Sequence, residues 1–370
     1  MIHPLLQTYG PFDGWMILLI MASVSIGFFT YQVQKATRLV MIGSPDSRFD
    51  SWGPRIREFI VGWLGQKKVL RDRVAGTMHV LMFWGFLMLA SDMFDLATAN
   101  YFSGELLPEL IVGPWNGMVE LGYTMALIGC VAAFVRRVAF TPEKLKGKSQ
   151  LEGNVILLLI FTITTTSFMI ESKEDPSPFW EPIGHQFSEL GLSDGMVVVS
   201  YWLHMLSISV FLFLIPLSKH MHLVMAVPNV FFHDTGPAAK MRPLALGEDG
   251  KAVPLEELDI DSFGVSSYTQ YTWRQLIDGW SCTSCARCQD VCPAYASGKG
   301  LNPMQVIHDV RDYANEHAPL LLSGETPEET MMQRITEEAV WACTTCNACV
   351  DVCPLYIEHV PKLTDLRRNA

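Results

Sequence analysis

Eight of the nine cysteines in this chain lie in two copies of one sixteen-residue motif. The copies are WSCTSCARCQDVCPAY at Trp280–Tyr295 and WACTTCNACVDVCPLY at Trp341–Tyr356, with ten identical positions and a shared C-x2-C-x2-C-x3-C-P spacing. Three thiols so closely spaced can wrap one face of a metal cluster from a short loop, with small residues such as Thr283, Ala286 and Ala348 between them. The proline after the fourth cysteine has no N–H and a fixed φ, so it turns the chain away.

The spacing is that of bacterial-type ferredoxins with two [4Fe–4S] clusters, in which three cysteines hold one cube and the fourth ligates the other. It predicts two ligand sets, Cys282, Cys285, Cys288 and Cys353 for cluster 1, and Cys343, Cys346, Cys349 and Cys292 for cluster 2. A pair of structural zinc sites is the alternative, although zinc ribbons usually use two CxxC pairs without this ending. We therefore expect the chain to transfer single electrons.

Five apolar runs indicate a membrane domain. Hydrophobic residues make up 49% of the chain and charged residues only 18%. The hydrophobic residues collect in runs at 15–34, 74–93, 117–135, 153–170 and 196–217. Each run is about long enough to cross a bilayer, although any single run could also be a core helix. Five such runs within 220 residues predict a five-span helical bundle.

The charge of the connecting loops predicts the orientation of these spans. Nine Lys or Arg residues lie between Gln34 and Arg73 and five between Arg136 and Lys148, but loops 92–116 and 171–195 carry only Lys173. Basic loops stay cytoplasmic, so we expect an external N-terminus, a multi-pass protein of the inner (cytoplasmic) membrane and a cytoplasmic cysteine domain. No cleavable leader is indicated, and reduced thiols fit the cytoplasm.

The fold class predicted is all-α, with three parts. Residues 1–227 form the membrane domain, 228–270 an acidic linker rich in Pro and Gly, and 271–370 a ferredoxin domain with helices at Tyr271–Ile277, Met304–His317 and Glu328–Trp341. Between the first two spans, apolar residues recur at helical spacing among arginines, which predicts an amphipathic helix on the inner membrane surface. These residues are Phe49, Trp52, Ile56, Phe59, Ile60, Trp63 and Leu64.

The cysteine domain is acidic. Residues 228–370 carry 20 acidic and 11 basic side chains, which argues against a nucleic-acid partner. Such a surface suits docking of a basic face on a soluble redox protein, and it also suits plain solubility.

Histidines in the spans suggest haem b. Ionisable residues inside spans are costly and usually functional. His79 lies about 9 Å into the second span, and His204 and His222 are 18 residues apart, which is five helical turns or about 27 Å along one helical face. We expect His79 and His222 to hold an inner haem, and His204 to be one ligand of an outer haem.

Several details of the haem prediction stay open. The partner of His204 is Met88, Met93 or His185, or the second haem is absent. His220 is an interfacial residue or an alternative ligand. The six other histidines are predicted to be surface or loop residues, namely His3, His185, His233, His308, His317 and His359. Cys130 is predicted to be a small packing residue.

Two segments of the chain resemble known redox proteins. RVAGTMHVLMFWGF and YWLHMLSISVFLFLIPLSKHMHL resemble the cytochrome b subunit of the nitrate reductase gamma type. WRQLIDGWSCTSCARCQDVCPA and WACTTCNACVDVCPLYIEHVPKLTDLRR resemble heterodisulfide-reductase-like iron–sulfur proteins. The combination is similar to membrane oxidoreductases that link cytoplasmic donors, notably electron-transfer flavoproteins, to menaquinone. The relatives' second span often offers two haem histidines, whereas this one offers His79, and no CCG pair is present.

The sequence therefore predicts a quinone-linked oxidoreductase, or the electron-transfer subunit of one. Its expected partners are the lipid bilayer, menaquinone or another quinone, and a cytoplasmic redox protein. The quinone site is predicted near Lys219 and His220 or near polar residues around His204. One alternative is a quinol-fed component of a heterodisulfide-reductase-like complex with a separate CCG subunit. Another is a membrane redox sensor without haem.

Overall fold

The fold is almost entirely helical. It is given by a computed structural model that describes residues 3–97, 109–140, 148–237, 241–258 and 264–369. Helix accounts for 69% and strand for 2% of the structure, so the predicted all-α class is confirmed. Two short strands, β1 (Thr8–Tyr9) and β2 (Phe12–Asp13), pair antiparallel with Thr8 opposite Asp13.

In chain order the α-helices are α1 (Gly14–Met41), α2 (Trp52–Glu58), α3 (Arg73–Ala97), α4 (Glu109–Ala139), α5 (Lys148–Glu171), α6 (Pro182–Glu189), α7 (Asp194–Leu214), α8 (His222–Phe231), α9 (Trp273–Ser281), α10 (Arg287–Asp290), α11 (Pro293–Ala296), α12 (Pro303–Glu316), α13 (Ala318–Ser323), α14 (Met331–Ile335), α15 (Glu337–Ala342), α16 (Ala348–Val352) and α17 (His359–Arg367). A π-helical turn spans Phe59–Leu64, and 3₁₀ turns span Pro4–Leu6, Val69–Arg71, Ile215–Leu217, Lys219–Met221, Leu255–Glu257 and Tyr268–Gln270. The chain divides into two compact units, Met1–Phe29 with Val69–Leu214 and Thr30–Lys68 with Ile215–Ala370.

Five helices are long and apolar enough to cross a membrane. They are Gly14–Met41, Arg73–Ser91, Val112–Ala139, Gln150–Glu171 and Asp194–Leu217. Each overlaps one of the five predicted runs, so the prediction of five long apolar helices is confirmed, and their crossing of a membrane stays a prediction. The orientation and the inner-membrane location stay predictions, and parts of the loops 92–116 and 138–150 lie outside the described residues.

Glycines let α3 and α4 pack closely in the first unit. A Cβ added at Gly85 would lie 2.8 Å from the Ala126 nitrogen, and one at Gly122 would lie 2.7 Å from the Met88 Cβ. At Gly129, an added Cβ would be 2.9 Å from the Met78 carbonyl oxygen. Small residues at such positions allow membrane helices to gain van der Waals contact without a hydrophobic driving force between them.

Two buried polar side chains in a span of the first unit, Cys130 and Glu120, are hydrogen-bonded. The Cys130 thiol of α4 donates to the Leu157 carbonyl of α5 at 3.0 Å and is 1% exposed, which agrees with its predicted packing role. Glu120, 5% exposed, accepts from the backbone N–H groups of Ile183 and Gly184 at 2.9 and 2.8 Å. This carboxylate therefore caps the first turn of α6, where a negative charge is favoured.

Helix α9 is the centre of the second unit. Its N-terminus is fixed by a capping box between Thr272 and Gln275, and eight of its nine residues are buried. The end of α1 joins the same core: Leu39 is fully buried, and its carbonyl accepts from the Tyr268 hydroxyl at 3.1 Å. Helix α1 therefore continues beyond the predicted run 15–34, because its last turns pack against apolar residues of this unit.

A buried ionic network connects α9 to α17. Arg274 pairs with Asp278 at 2.9 Å, and Lys362 also contacts Asp278, with all three side chains fully buried. Glu358 accepts from Arg48 at 3.1 Å, and Asp46 accepts from Arg48 and Arg242 at 2.9 and 2.8 Å. Removing one member of such a network would strand a buried charge, at a cost of roughly 3–5 kcal/mol. The network thus fixes the segment that follows the second cysteine motif.

The segment between the first two spans packs onto α8. Arg55, 2% exposed, donates to the carbonyls of Phe231 and His233 at 3.3 and 2.7 Å. Phe59 meets Phe231 edge-on with ring centroids 5.7 Å apart. The predicted amphipathic helix is present as α2 followed by the π-helical turn. Phe49, Trp52, Ile56 and Ile60 are each about half exposed or more, and their place on the inner membrane surface stays a prediction.

The predicted domain limits stay predictions. The second unit also includes residues that were predicted to belong to the membrane domain. Residues 30–68 and 215–227 belong to the unit that holds the cysteine motifs. Asn229 of α8, predicted to begin a linker, is fully buried and donates to the Leu355 carbonyl at 2.8 Å. The predicted helix Glu328–Trp341 is divided into α14 and α15, because Thr336 adopts φ 74° and its hydroxyl caps the new helix at Ala339.

Candidate metal centres

The two cysteine motifs fold into matching loops. In each loop the residue before the second cysteine and the residue after it have positive φ: Ser284 (56°) and Ala286 (61°), then Thr345 (54°) and Asn347 (59°). Non-glycine residues rarely adopt this region. Four such residues at equivalent positions show that both loops use the same left-handed backbone conformation beside the second cysteine. The short helices α10 and α16 follow the two loops and pack together.

The structure brings the predicted sets of cysteines together. The first cavity, here called cavity 1, is lined by Cys282, Cys285, Cys288 and Cys353 together with Thr283, Ala286, Arg287, Met304, Pro354, Leu355, Ile357 and His359. Cavity 2 is lined by Cys343, Cys346, Cys349 and Cys292 together with Pro293, Leu301, Pro303, Thr344, Asn347, Val360 and Leu363. Three thiols of each cavity come from one motif and the fourth from the other.

The cavities suit a cluster with several metal atoms. They enclose about 310 and 320 Å³ of space, part of it open to solvent. Within the described ranges, no three His, Cys, Asp or Glu residues are placed to hold one metal ion. The four thiols surround a space instead, and a [4Fe–4S] cube binds one thiolate at each iron.

Burial makes these thiols poor acids without a cation. It raises the pKa of Cys282 to about 11 and that of Cys353 to about 12, with neighbouring thiols adding to the effect. In cavity 2, burial raises the pKa of Cys349 to about 12. Thiolates are the metal-binding form, so four of them in each cavity require positive charge beside them. The iron of a cluster would supply that charge.

Cavity 1 has neighbours that the cysteine pattern did not reveal. His308 Nε2 lies 3.6 Å from Cys282 Sγ and 3.1 Å from Ser284 Oγ. Burial lowers the pKa of His308 to about 4, so the ring is neutral at pH 7. His359 lines the same cavity and is 1% exposed. The prediction that these histidines are surface or loop residues was therefore wrong for His359, which is buried within α17. His233 is 7% exposed but lies in the loop after α8.

One cation lines cavity 1, and a second contacts the residue that carries it. Arg287 lines it and donates to the Lys68 carbonyl at 2.9 Å. The Lys68 ammonium lies 3.9 Å from the centroid of the Tyr356 ring and 3.4 Å from the Val350 carbonyl oxygen. Lys68 belongs to the loop between the first two spans, where the sequence offered only an orientation signal.

Cavity 2 has a different neighbourhood. The Thr345 N–H points to Cys343 Sγ at 3.4 Å. The Arg367 guanidinium donates to the carbonyls of Val340 and Cys343 and lies 5.3 Å from the Trp341 ring centroid. These contacts bind the end of α17 to the start of the second motif.

The predicted haem histidines lie in both units. His204 of α7, 9% exposed, has its Nδ1 3.1 Å from the Ile163 carbonyl and 3.0 Å from the Thr166 hydroxyl, both on α5. His222 has its Nδ1 2.9 Å from the Lys219 carbonyl. When Nδ1 donates to a carbonyl, Nε2 carries the lone pair that metal ligation needs. Both residues therefore fit an axial ligand.

His79 lies in α3 of the first unit, where its ring stacks on Phe83 with centroids 6.4 Å apart. His220 has its Nδ1 3.0 Å from the Ser218 hydroxyl. The pairing of His79 with His222 stays a prediction. Among the suggested partners of His204, Met88 and His185 lie in α3 and α6, and the side chain of Met93 lies outside the described residues.

One step of the haem argument was wrong. His204 and His222 do not share one face of a continuous helix, because α7 ends at Leu214 and α8 begins at His222. Pro216 cannot donate a backbone hydrogen bond, and Ser218 is extended (φ −129°, ψ 175°), with its side chain capping His220 N–H. Five whole turns therefore do not connect the two histidines.

Comparison with known proteins supports an iron–sulfur role for the region of the cysteine motifs. The family model described as a 4Fe-4S dicluster domain matches residues 274–354. The chain is 29% identical to EtfAB:quinone oxidoreductase of Syntrophomonas wolfei, with 96% of this chain and 54% of the relative covered. It is 27% identical to the probable iron-sulfur-binding oxidoreductase FadF of Bacillus subtilis, with 95% and 55% covered.

A shorter match is to one component of the dihydromethanophenazine:CoB–CoM heterodisulfide reductase of Methanosarcina acetivorans, at 37% identity over 26% of this chain and 24% of the relative. No solved structure matches the chain. The chain spans about half the length of the two relatives that it matches throughout. These relatives are named oxidoreductases, and together with the dicluster domain they support iron–sulfur electron transfer by a chain with five candidate membrane helices.

Proposed function

We propose that this chain carries electrons between a cytoplasmic redox partner and the membrane quinone pool, through two [4Fe–4S] clusters and haem b. The observation that carries the proposal is the arrangement of the cysteines, because each cavity collects three thiols from one motif and one from the other. Both kinds of cofactor exchange one electron at a time when bound. The role of the protein is to hold them at fixed positions and to tune them by burial and hydrogen bonding.

The residues assigned to each cofactor are those of the two cavities and the span histidines. Cluster 1 takes the four cysteines of cavity 1, and cluster 2 takes those of cavity 2. His79 and His222 hold the inner haem, His204 is a ligand of an outer haem, and His220 is the alternative ligand. The hydrogen bonds from Nδ1 of His204 and His222 support these roles, because they orient Nε2 as the ligating atom.

The quinone and the soluble partner are proposed from the relatives. One relative is named an EtfAB:quinone oxidoreductase. The proposed reactants here are therefore an electron-transfer flavoprotein and menaquinone or another quinone. Buried polar residues beside His204, namely Thr166 and Ser167, support the suggestion of a quinone site near that histidine.

The second candidate function is a quinol-fed electron-transfer subunit whose catalytic CCG subunit is a separate chain. The similarity of the cysteine region to the heterodisulfide reductase component favours it. Co-purification with a CCG-bearing chain would support this second function. Reduction of a quinone analogue by this chain together with an electron-transfer flavoprotein would support the first.

The test is an optical and EPR redox titration of the purified protein, which counts haems and clusters together. His79→Ala and His222→Ala are each expected to remove the same b-type band and to leave both cluster signals. His317→Ala is the matched control, because His317 pairs with Glu329 outside the spans and should change neither. Full haem content in either ligand variant would refute the pairing of His79 with His222. A purified protein that contains zinc, and neither iron nor acid-labile sulfide, would refute the clusters.

A further inference from the structure

The two cavities have different surroundings within the second unit. We propose that the rim of cavity 2 is the docking site for a soluble redox protein with a basic face. This inference rests on the proposed function, because it takes both cavities as cluster sites.

Exposure is the first observation. Cys346 of cavity 2 is solvent-exposed, whereas in cavity 1 Cys285 is half-buried and Cys282, Cys288 and Cys353 are buried. A carrier protein that exchanges electrons has to approach a ligand of the cluster closely. Of the two cavities, cavity 2 therefore offers the more accessible thiol.

Exposed apolar side chains next to the cavity 2 cysteines are the second observation. Trp341, two residues before Cys343, is 56% exposed, and Val291, the residue before Cys292, is 40% exposed. Tyr295, in the helix that begins directly after Cys292, is 41% exposed. Aromatic residues are enriched in protein interfaces, and these three stand within three residues of the ligands of one cavity.

The charge near cavity 2 specifies the partner. Glu337 and Glu338 are exposed in α15, and Asp290 is exposed at the end of α10. Glu338 also lies against Gly300, the neighbour of the lining residue Leu301, because a Cβ at Gly300 would be 3.0 Å from its carboxyl carbon. Three carboxylates thus stand at the rim against two cations, Lys299 and the Arg367 guanidinium over Trp341. A basic protein surface complements this acidic excess and its apolar side chains.

Cavity 1, by contrast, is covered by other residues of the second unit. Arg287 of its lining donates to the Lys68 carbonyl. Leu355 of its lining accepts from Asn229 of α8. None of these residues contributes to the lining of cavity 2.

One electron crosses the rim at each encounter. The soluble protein loses it and the group in cavity 2 gains it, or the reverse, and no bond or proton is exchanged. The exposed rim therefore has to recognise the partner.

The first experiment measures which cluster lies nearer to solvent. The holoprotein in lipid nanodiscs is reduced, and the EPR power saturation of each cluster signal is recorded with and without a neutral dysprosium chelate in the buffer. Cys285→Ser and Cys346→Ser assign the two signals, because each alters one ligand of one cavity. The chelate is expected to raise the half-saturation power of the cavity 2 signal severalfold more than that of cavity 1. An equal or larger effect on cavity 1 would overturn the proposal.

The second experiment uses cytochrome c, a basic one-electron carrier, as the probe of docking. Its reduction by the prereduced holoprotein at low salt is expected to slow about tenfold in the double variant Glu337→Lys, Glu338→Lys, because attraction at the rim becomes repulsion. The control Glu256→Lys, Glu257→Lys makes the same charge change at exposed positions outside both linings and should change the rate less than twofold.

Equal slowing in both variants would overturn the docking site. Cluster signals with equal chelate effects would overturn this inference alone, whereas a protein without cluster signals would overturn the proposed function and this inference together.

Discussion

Cavity 1 and cavity 2 are built by nearly the same loop but have different neighbours. Both loops carry positive φ at the same two positions and place three thiols by the same spacing. Cavity 1 is lined by Arg287, which contacts Lys68, and neighbours a histidine that approaches a cysteine sulfur. Cavity 2 has an exposed cysteine and an exposed tryptophan beside it.

The difference teaches that the motif determines the number and spacing of ligands, and the remainder of the fold determines the environment. Reduction potentials of iron–sulfur clusters depend on hydrogen bonds, nearby charge and solvent exposure. Two repeats that are identical at ten of sixteen positions can therefore hold groups with different potentials and different access.

The largest effect on cluster content is expected from removing the one thiol of each motif that lines the cavity of the other motif. Cys292→Ser should disrupt only the group in cavity 2, and Cys353→Ser only that in cavity 1, because each of these cysteines lines the cavity of the other motif. A lost cluster lowers the iron content from about eight to about four atoms per chain.

Iron and sulfide analysis with EPR checks this prediction. Cys130→Ser is the control, since Cys130 is buried between α4 and α5 and should leave both signals intact. If Cys292→Ser instead altered the signal that Cys285→Ser alters, the crossed arrangement would be wrong.

A smaller effect is expected from separating cavity 1 from the segment that covers it. A Cβ at Gly62 would overlap the Tyr356 hydroxyl, so Gly62→Ala should force the π-helical turn away from the end of the second motif. Overpacking of this kind costs about 1–3 kcal/mol. The temperature at which the cavity 1 cluster is lost, followed by its EPR signal, should fall, while that of the cavity 2 cluster should change less.

Gly53→Ala is the matched control, because nothing lies within 4 Å of a Cβ added at Gly53 and alanine favours its helix. Equal temperatures of cavity 1 cluster loss in Gly62→Ala and Gly53→Ala would show that this contact does not support cavity 1.

The smallest effect is expected from the single cations beside each cavity. Removing a positive charge makes reduction harder, so replacing the lining residue Arg287 by Gln should lower the potential of the cavity 1 group. The expected change is on the order of 1 kcal/mol, roughly 40 mV for one electron. Arg367→Gln should do the same at cavity 2. EPR redox titration of both signals checks that each substitution shifts the potential of its own cavity only, and Lys251→Gln, at an exposed position, is the control. Shifts of equal size in both signals would contradict it.

The sequence predicted those features that depend on local spacing. The cysteine sets follow from the fixed spacing within each motif, and the structure groups the same cysteines in two cavities. The five candidate spans follow from uninterrupted apolar runs, which in membrane proteins need no tertiary context. The ligand roles themselves and the haem assignment stay proposals.

Features that depend on contacts between distant segments were missed. The packing of Lys68 near Arg287 joins residues 219 positions apart, and no periodicity in the sequence marks it. His359 is buried because α17 folds over cavity 1, whereas its local sequence is that of an exposed turn. The break at Ser218 depended on one extended residue after Pro216, which the helical arithmetic for His204 and His222 did not consider.

The exchange of a cysteine between the two motifs affects the order of events during synthesis. Cys292 precedes Cys343 by 51 residues, an interval of roughly 3–10 s at about 5–20 residues per second on the ribosome. Throughout this interval the four early thiols have no means of completing either set. With the proposed ligand sets, iron loading would therefore follow translation of the second motif, and the first four thiols would have to be kept from oxidation until then.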